Sequence, residues 1–487
     1  MLRRRPEPGA DRLVPRLRPH GPFLVALGLG AVVRVLVQVA FPPALIFSDG
    51  ATYLDMVDSL TPGPHRPVGY GVVLRVLSWV SRDVAVVAVF QHGLGLVTAV
   101  VLYAALRRWG VSVWPATLAA LPVLFDGMQL VLEHAPLSDV VFDLVLLVGL
   151  VLLGWWRPPR VGWTALAGLA LGLAVLVRLV AEPVVLVAAG FCLLTGATLR
   201  ARLVTAAVVC IAFAAPLVGY AAWYHSVRGV WALSEASGRA LYMRTTTFVE
   251  CDRIEVPDYQ RVLCPREPVG DRYDPTDYGW HDESTIPTLD LPRGVTHNEA
   301  TRDFAVTAIR TQPGDYLRVV LRDFWMGFSS WERVDRYDYD TAYKWSFADR
   351  VDYEPTPKMA AAYLAHGGNL PRTTHPLGDW IAEYGERVYV RGPLLLLMAV
   401  LGLAGLLARG AGTARASRSL ILLTGSVAVG LVLVPDATAE FVWRYQLPAL
   451  VLLPMSAALG WTRLRAAVRS RRRGPGRRPA PTARRAA

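Results

Sequence analysis

The sequence is almost without lysine. Of its 51 basic residues all but Lys344 and Lys358 are arginine, so nearly all of its positive charge is fixed at any working pH. Charge of either sign is scarce. Only 18% of the 487 residues are charged while 53% are hydrophobic, which excludes a disordered chain. Four cysteines exclude a disulfide-rich mini-protein, and the absence of a Gly-X-Y period excludes a collagen-like fibre. No internal repeat stands out. The mean hydropathy of +0.34 averages two populations. Long apolar runs fill 22–224 and 391–461, whereas 225–390 is polar. Several runs approach the roughly 20 apolar residues needed to span a bilayer, which excludes a single soluble core.

The hydropathy pattern predicts an all-α polytopic membrane protein. Ten spans are expected near 22–41, 84–106, 111–130, 137–156, 161–178, 183–199, 203–224, 391–408, 419–435 and 444–461. A net charge of +12 invites a nucleic-acid partner, but the position of the charge argues for none. Six arginines lie in 1–21 and ten in 462–487, next to apolar runs, as expected of cytoplasmic ends. The short loops on that side carry Arg107/Arg108, Arg157/Arg160, Arg200/Arg202 and Arg409/Arg415/Arg418, with no acidic residue. Both termini are therefore expected in the cytoplasm of a cell-membrane protein. Segment 225–390, with 26 acidic and 19 basic residues, is expected outside. The stretch 1–21 does not read as a cleaved signal peptide, since the apolar run after it is long and lacks a small-residue cleavage site.

The expected organisation is a basic tail (1–21), an N-terminal membrane module (22–224) with a first outer loop (42–83), an extracytoplasmic domain (225–390), a second membrane module (391–461) and a basic disordered tail (462–487). The outer domain is expected to be mixed or irregular, with loops over 257–294, helices over 297–311 and 315–328, and a stretch rich in Tyr, Trp and Asp over 331–354. In the first outer loop, 51–60 and 68–80 read as two short interfacial helices broken by Thr61-Pro62-Gly63-Pro64. Cys192 and Cys210 fall in spans and are expected to be inert. Cys251 and Cys264 lie in the outer segment, where an oxidising exterior favours a disulfide. That pair alone offers too few ligands for zinc, and no metal site is indicated.

Ionisable residues at the outer ends of spans are the candidates for chemistry, because charge near the bilayer is expensive and tends to be functional. They are Asp49 after the first span, Asp126, Glu133 and Asp139 around the turn from the third to the fourth, and Arg178 and Glu182 after the fifth. Asp436, Glu440 and Arg444 lie between the ninth and tenth, and His65 and Arg66 between the interfacial helices. For any one of them, simple pairing at the water interface is the more frequent explanation. Arg34, inside the first span, suits a structural ion pair or snorkelling. As a group, carboxylates and arginines at an apolar–water boundary suit a ligand anionic at one end and greasy at the other, such as a lipid-linked phosphate. A transporter or flippase for such a substrate is the alternative, although transporters usually show repeats and midplane charges.

Five segments resemble, in order, the motifs of GT-C glycosyltransferases, the polytopic enzymes that use polyprenyl- or dolichyl-phosphate sugars and include protein O-mannosyltransferases and aminoarabinose transferases. They are Phe47-Ser48-Asp49-Gly50-Ala51-Thr52-Tyr53, His65-Arg66-Pro67-Val68-Gly69-Tyr70-Gly71, Leu137-Ser138-Asp139-Val140-Val141-Phe142, the Gly-rich run 168–178 ending in Arg178, and Phe441-Val442-Trp443-Arg444-Tyr445-Gln446-Leu447-Pro448. Relatives often carry Asp-Glu in the first motif, and here Gly50 follows Asp49. The resemblance implies inverting transfer of a sugar from a polyprenyl-phosphate donor to a cell-envelope glycan, lipid or protein. It gives Asp49 the role of general base. Arg178, Arg444, Arg66 and His65 become the donor-phosphate ligands. Asp139, Glu133, Tyr53 and Tyr445 become the contacts for sugar or acceptor. A divalent metal is possible in such a family but is not indicated by these residues.

Overall fold

The computed structural model describes residues 18–281, 284–330, 343–409 and 414–472. The expectations for most of the N-terminal tail, for the end of the C-terminal tail and for the first part of the Tyr/Trp/Asp-rich stretch lie outside the described residues. Among the described residues every regular element is helical.

Helix α1 (Gly21–Ala40) is followed by the short α2 (Ser48–Asp55) and α3 (Gly69–Ser78). These are the two predicted loop helices, but α2 begins earlier than the apolar spacing suggested, so that Asp49 lies in its first turn. Tyr53, Leu54 and Val57 are buried as their spacing predicts, whereas Leu60 lies beyond the helix end. Helix α4 (Val84–Arg108) starts where the Asp83 carboxylate accepts from the Ala85 amide at 2.9 Å. It ends on Arg107 and Arg108, cations placed against its negative terminus. Helices α5 (Val113–Phe125) and α6 (Gly127–Glu133) meet at a 54° bend. Asp126 sits in this bend, accepting from the Gln129 and Val390 amides at 3.0 and 2.6 Å.

The bundle continues through α7 (Asp139–Trp155), α8 (Val161–Val177), α9 (Val184–Thr195) and α10 (Leu199–Arg228). The predicted Gly-rich run lies on α8, and its glycines are required by contact. A Cβ on Gly172 would fall on the Phe213 carbonyl, and one on Gly168 would come within 2.6 Å of the Val209 carbonyl, so α8 packs backbone-to-backbone along α10.

Segment 225–390 holds α11 (Ser237–Thr246), α12 (Pro275–Trp280), α13 (His297–Thr311), α14 (Pro313–Met326), α15 (Pro357–His366) and α16 (Leu377–Arg387). Helix α13 has the predicted bounds, fixed by a capping box between Thr296 and Glu299. Cys251 and Cys264 form the expected disulfide. Two halves of this segment differ in where they bury their apolar residues. Residues around Tyr242, Leu263, Tyr278 and Phe304 make a small core of their own. Trp345, Phe347, Tyr363 and Ile381 are instead part of the large core of the membrane helices.

Helices α17 (Gly392–Leu407), α18 (Ala414–Thr438) and α19 (Leu447–Arg472) complete the bundle. Each of the ten expected spans falls on a helix, and the chain is a multi-pass membrane protein. By length and composition five helices can cross a membrane, or seven if the bent pairs α5–α6 and α16–α17 each count as one. The remaining expected spans fall on α7, α8 and α9, with 17, 17 and 12 residues. Helix α8 stops at Arg178, where the backbone turns extended, and α9 runs only from Val184 to Thr195, between Pro183 and Gly196. Helix α19 continues past the predicted end at 461 to Arg472, so part of the tail expected to be disordered is helical.

Candidate functional site

Asp49 is the centre of the charged cluster. It lies in the first turn of α2, where the positive end of a helix favours a carboxylate. Its Oδ1 pairs with Arg66, from the loop before α3, and its Oδ2 accepts from Arg444 Nη2 at 2.5 Å. The two arginines come from positions distant in the chain, and each takes a different oxygen. Burial opposes ionisation of Asp49, but the guanidiniums of Arg66 and then Arg444 outweigh it and hold the carboxyl well below the usual carboxylate range. Burial likewise works against the charge on Arg66, and Asp49 reverses this, raising the guanidinium above its ordinary value.

A second pair joins Arg178, the residue that ends α8, to Asp139, the first residue of α7. Two tyrosines connect the pairs. The Tyr445 ring lies 5.1 Å from the Arg178 guanidinium and 5.5 Å from that of Arg444. The Tyr53 hydroxyl shares a hydrogen bond of 3.0 Å with Ser138, beside Asp139, and the Arg66 guanidinium lies 4.9 Å from the Tyr53 ring. Six of the residues named from the sequence therefore form one contiguous assembly with Asp49: Arg66, Arg444, Arg178, Asp139, Tyr53 and Tyr445. Asp143, one turn further along α7, is buried, and among the described residues neither of its oxygens meets a donor.

Two of the named residues are not part of this assembly. Glu133 is fully buried and committed elsewhere: it pairs with Arg34 at 2.6 Å and faces His92 Nδ1 at 2.8 Å. Its position at a helix end in the sequence could not reveal that α1 and α4 supply both partners. The ion pair expected for Arg34 is thus formed with Glu133. The His65 ring meets Trp280 edge-on at 4.8 Å, and among the described residues no hydrogen bond or ion pair joins it to Asp49, Arg444, Asp139 or Arg178. Other acids at the same turns serve the scaffold. Glu440 accepts from the Thr276 hydroxyl at 2.8 Å, while at Asp436 it is the backbone carbonyl that accepts from Arg244, at 3.0 Å, and among the described residues the carboxylate Oδ2 meets no donor.

The sequence did not single out the residues that brace Asp49 from the far side of the chain. Trp345 stacks on Phe47 with centroids 5.1 Å apart, and the Arg444 guanidinium lies 4.9 Å from the Trp345 ring. Arg350 lies 4.3 Å from the Phe47 ring, and Tyr363 donates to the Leu45 carbonyl at 2.7 Å. The aromatic richness of 331–354 was the only signal. A run of Trp and Tyr does not say which distant backbone it will pack on. Among the described residues no group of three or more metal-type ligands is assembled.

No family model matches the chain, and no curated protein matches it. Among solved structures, the chain is similar to the archaeal oligosaccharyltransferase AglB from Archaeoglobus fulgidus in complex with an inhibitory peptide and a dolichol-phosphate. The identity is 12% and the TM-score 0.42, over 94% of this chain and 52% of that one. It is also similar to ArnT from Cupriavidus metallidurans bound to undecaprenyl phosphate, with 15% identity and a TM-score of 0.37 over 91% of this chain and 77% of that one. A third likeness is to the protein O-mannosyltransferase Pmt1–Pmt2 complex of S. cerevisiae bound to the sugar donor, with 14% identity and a TM-score of 0.35 over 53% of this chain and 38% of that one. The chain spans about half the length of the archaeal protein. These are loose likenesses of overall shape, and no residue role is transferred from them.

Proposed function

We propose that this chain is a membrane glycosyltransferase of the GT-C type, moving a sugar from a polyprenyl-phosphate donor to an extracytoplasmic acceptor with inversion. The observation that carries the proposal is the assembly at Asp49: one carboxylate between two arginines, beside a second arginine–carboxylate pair and two tyrosines. Three guanidiniums at a membrane boundary suit a lipid phosphate, which arginine binds through a planar fork of donors. In this reading the basic loops lie in the cytoplasm, and the assembly opens on the outer side.

The reaction needs one proton removed and one charge stabilised. The acceptor oxygen forms its bond to the anomeric carbon as the bond from that carbon to the phosphate oxygen breaks, through an oxocarbenium-like transition state. Asp49 takes the acceptor's hydroxyl proton. The polyprenyl phosphate leaves with the electron pair of the broken bond, held by Arg178, Arg444 and Arg66. Asp139, Tyr53 and Tyr445 place sugar or acceptor hydroxyls.

A carboxylate shared by two guanidiniums is a poor base, because both cations stabilise its charged form. The donor phosphate resolves this. As it draws Arg66 and Arg444 onto its own oxygens, Asp49 loses their fields and becomes basic enough to accept the proton. The order is then donor first, acceptor second. The test is the full chain in nanodiscs with a polyprenyl-phosphate sugar. Asp49→Asn is expected to abolish release of polyprenyl phosphate while binding undecaprenyl phosphate more tightly than wild type, since its arginines are already free. Full turnover in Asp49→Asn would remove Asp49 as the base, and weaker lipid-phosphate binding would refute the competition.

A further inference from the structure

Beside the Asp49 assembly lies a second positive patch, built by different residues. It begins at His65, the neighbour of Arg66 in the chain, and continues onto α11 and α12. The Arg239 guanidinium lies 4.3 Å from the Trp280 ring, and the His65 ring meets the same indole edge-on. Stacking on an aromatic face engages the flat of a guanidinium and leaves its in-plane N–H donors for a ligand. Among the described residues no carboxylate pairs with Arg239. Glu235, an acid whose charge acts on His65, is already shared by Arg228 at 2.9 Å and the Tyr224 hydroxyl at 2.8 Å. Burial, and then the charges of Arg239, Arg66 and Arg228, disfavour a proton on His65, which marks the surroundings as net positive. Trp280 nonetheless keeps 42% of its surface exposed. The Glu235 amide donates to the Pro64 carbonyl at 2.7 Å, tying the loop between α10 and α11 to the loop that carries His65 and Arg66.

A half-buried arginine with free donors, flanked by a tryptophan and an uncharged imidazole, is suited to a ring compound bearing an anionic group. The anion meets Arg239, and the aromatic edges meet the apolar face of the ring. The charge of Arg66 acts on His65 and the same arginine pairs with Asp49, so the patch borders the assembly on its Arg66 side.

We propose that His65, Trp280 and Arg239 form the acceptor subsite, and that the acceptor is an acidic carbohydrate carrying a phosphate or carboxylate. The identification as an acceptor rests on the glycosyltransferase reading, while the anion site itself does not. The test measures binding to the full chain in phosphatidylcholine nanodiscs, with glucose 6-phosphate, glucose and inorganic phosphate as soluble probes and undecaprenyl phosphate as the lipid probe. Glucose 6-phosphate is expected to bind more tightly than either glucose or phosphate. Arg239→Ala is expected to weaken it about tenfold or more, the range for losing a charged hydrogen-bond donor. Trp280→Ala should weaken it less, Arg239→Lys should restore part of the affinity, and undecaprenyl phosphate should bind all three variants as it binds wild type. The proposal is overturned if wild type does not bind glucose 6-phosphate, or if Arg239→Ala leaves that binding unchanged. It is also overturned if Arg239→Ala weakens undecaprenyl phosphate equally, which would assign Arg239 to the donor, or if phosphatidylglycerol in the nanodisc abolishes sugar-phosphate binding, which would make the anion a lipid headgroup. If glucose 6-phosphate binds as expected and wild type ignores undecaprenyl phosphate, the glycosyltransferase reading fails and the anion site stands.

Discussion

Glu133 and Asp49 are both carboxylates held by arginine, and they differ in what else they touch. Glu133 is wholly inside the protein. Its Oε1 accepts from Arg34 at 2.6 Å and from Gln129 at 2.9 Å, and its Oε2 faces His92. The chain of contacts continues from His92 Nε2 to His134 Nδ1 at 3.0 Å, and from His134 Nε2 to the Phe41 carbonyl at 2.7 Å. A carbonyl can only accept, so His134 donates from Nε2, and both oxygens of Glu133 are engaged. Among the described residues Asp49 has only arginine partners for its side chain. Its side chain is 22% exposed and that of Arg66 29%, and each guanidinium also lies against an aromatic ring. Glu133, with both oxygens engaged and no access to water, acts on structure. The open group can exchange one anion for another.

Substitutions at the two carboxylates should therefore fail in different ways. The largest effect is expected for Asp49→Asn, with turnover falling by about 10²–10⁴, the range for losing a general base. The melting temperature should fall only modestly, because Arg66 and Arg444 lose their shared counter-charge but keep partial access to water. A single-turnover assay of donor consumption, read beside a melting curve, separates the two. Glu133→Gln should do the reverse. It leaves Arg34 buried without its counter-charge and should destabilise the fold by about 3–5 kcal/mol. Turnover per folded molecule should stay within a few-fold of wild type, and a loss of turnover with unchanged melting would move Glu133 into the active assembly.

Arg178→Ala should fall between these. Its loss is expected to weaken undecaprenyl phosphate binding by roughly 10- to 100-fold, the range for a charge-assisted hydrogen bond. Titration in nanodiscs reads this directly, and unchanged affinity would remove Arg178 from the donor site. The smallest effect concerns pH. Because the Asp49 carboxyl is held below its ordinary value in the fold, its stabilising contribution is complete above the unfolded value of about 4. That contribution is lost as pH falls further toward the folded value. The difference in melting temperature between wild type and Asp49→Asn should thus be constant near neutrality and shrink below about pH 4. A difference that grows on acidification would mean the carboxyl is not held by its arginines.

The same contrast shows how much of the site the sequence could disclose. Asp49, Asp139, Arg178 and Arg444 could be named because each ends or begins an apolar run, and the ends of spans on one side of a bilayer must lie near one plane. Glu133 satisfies the same rule, and the rule misleads there. Helix α6 bends by 54° from α5, and this turns Glu133 inward toward Arg34 and His92. His65 was grouped with Arg66 because they are adjacent, yet adjacent side chains in a loop diverge, and His65 meets α12 instead. The bracing by Trp345, Arg350 and Tyr363 left only an aromatic-rich stretch to read, since it depends on the late part of 225–390 packing into the core of the membrane helices while the early part closes on its own.

By itself the sequence determined which stretches are apolar enough for a bilayer. Long apolar runs, short arginine-rich loops and the acidic stretch 225–390 can be read one at a time, because the cost of placing charge in a bilayer acts on each stretch locally. Cysteine placement, the α13 capping box and the glycine run of α8 are local in the same sense. Tertiary structure alone decided which charges neutralise one another. The partners of Asp49 come from a loop and a helix end hundreds of residues apart in sequence. Whether a carboxylate becomes a scaffold or a site depends on how many donors the packed helices bring to it.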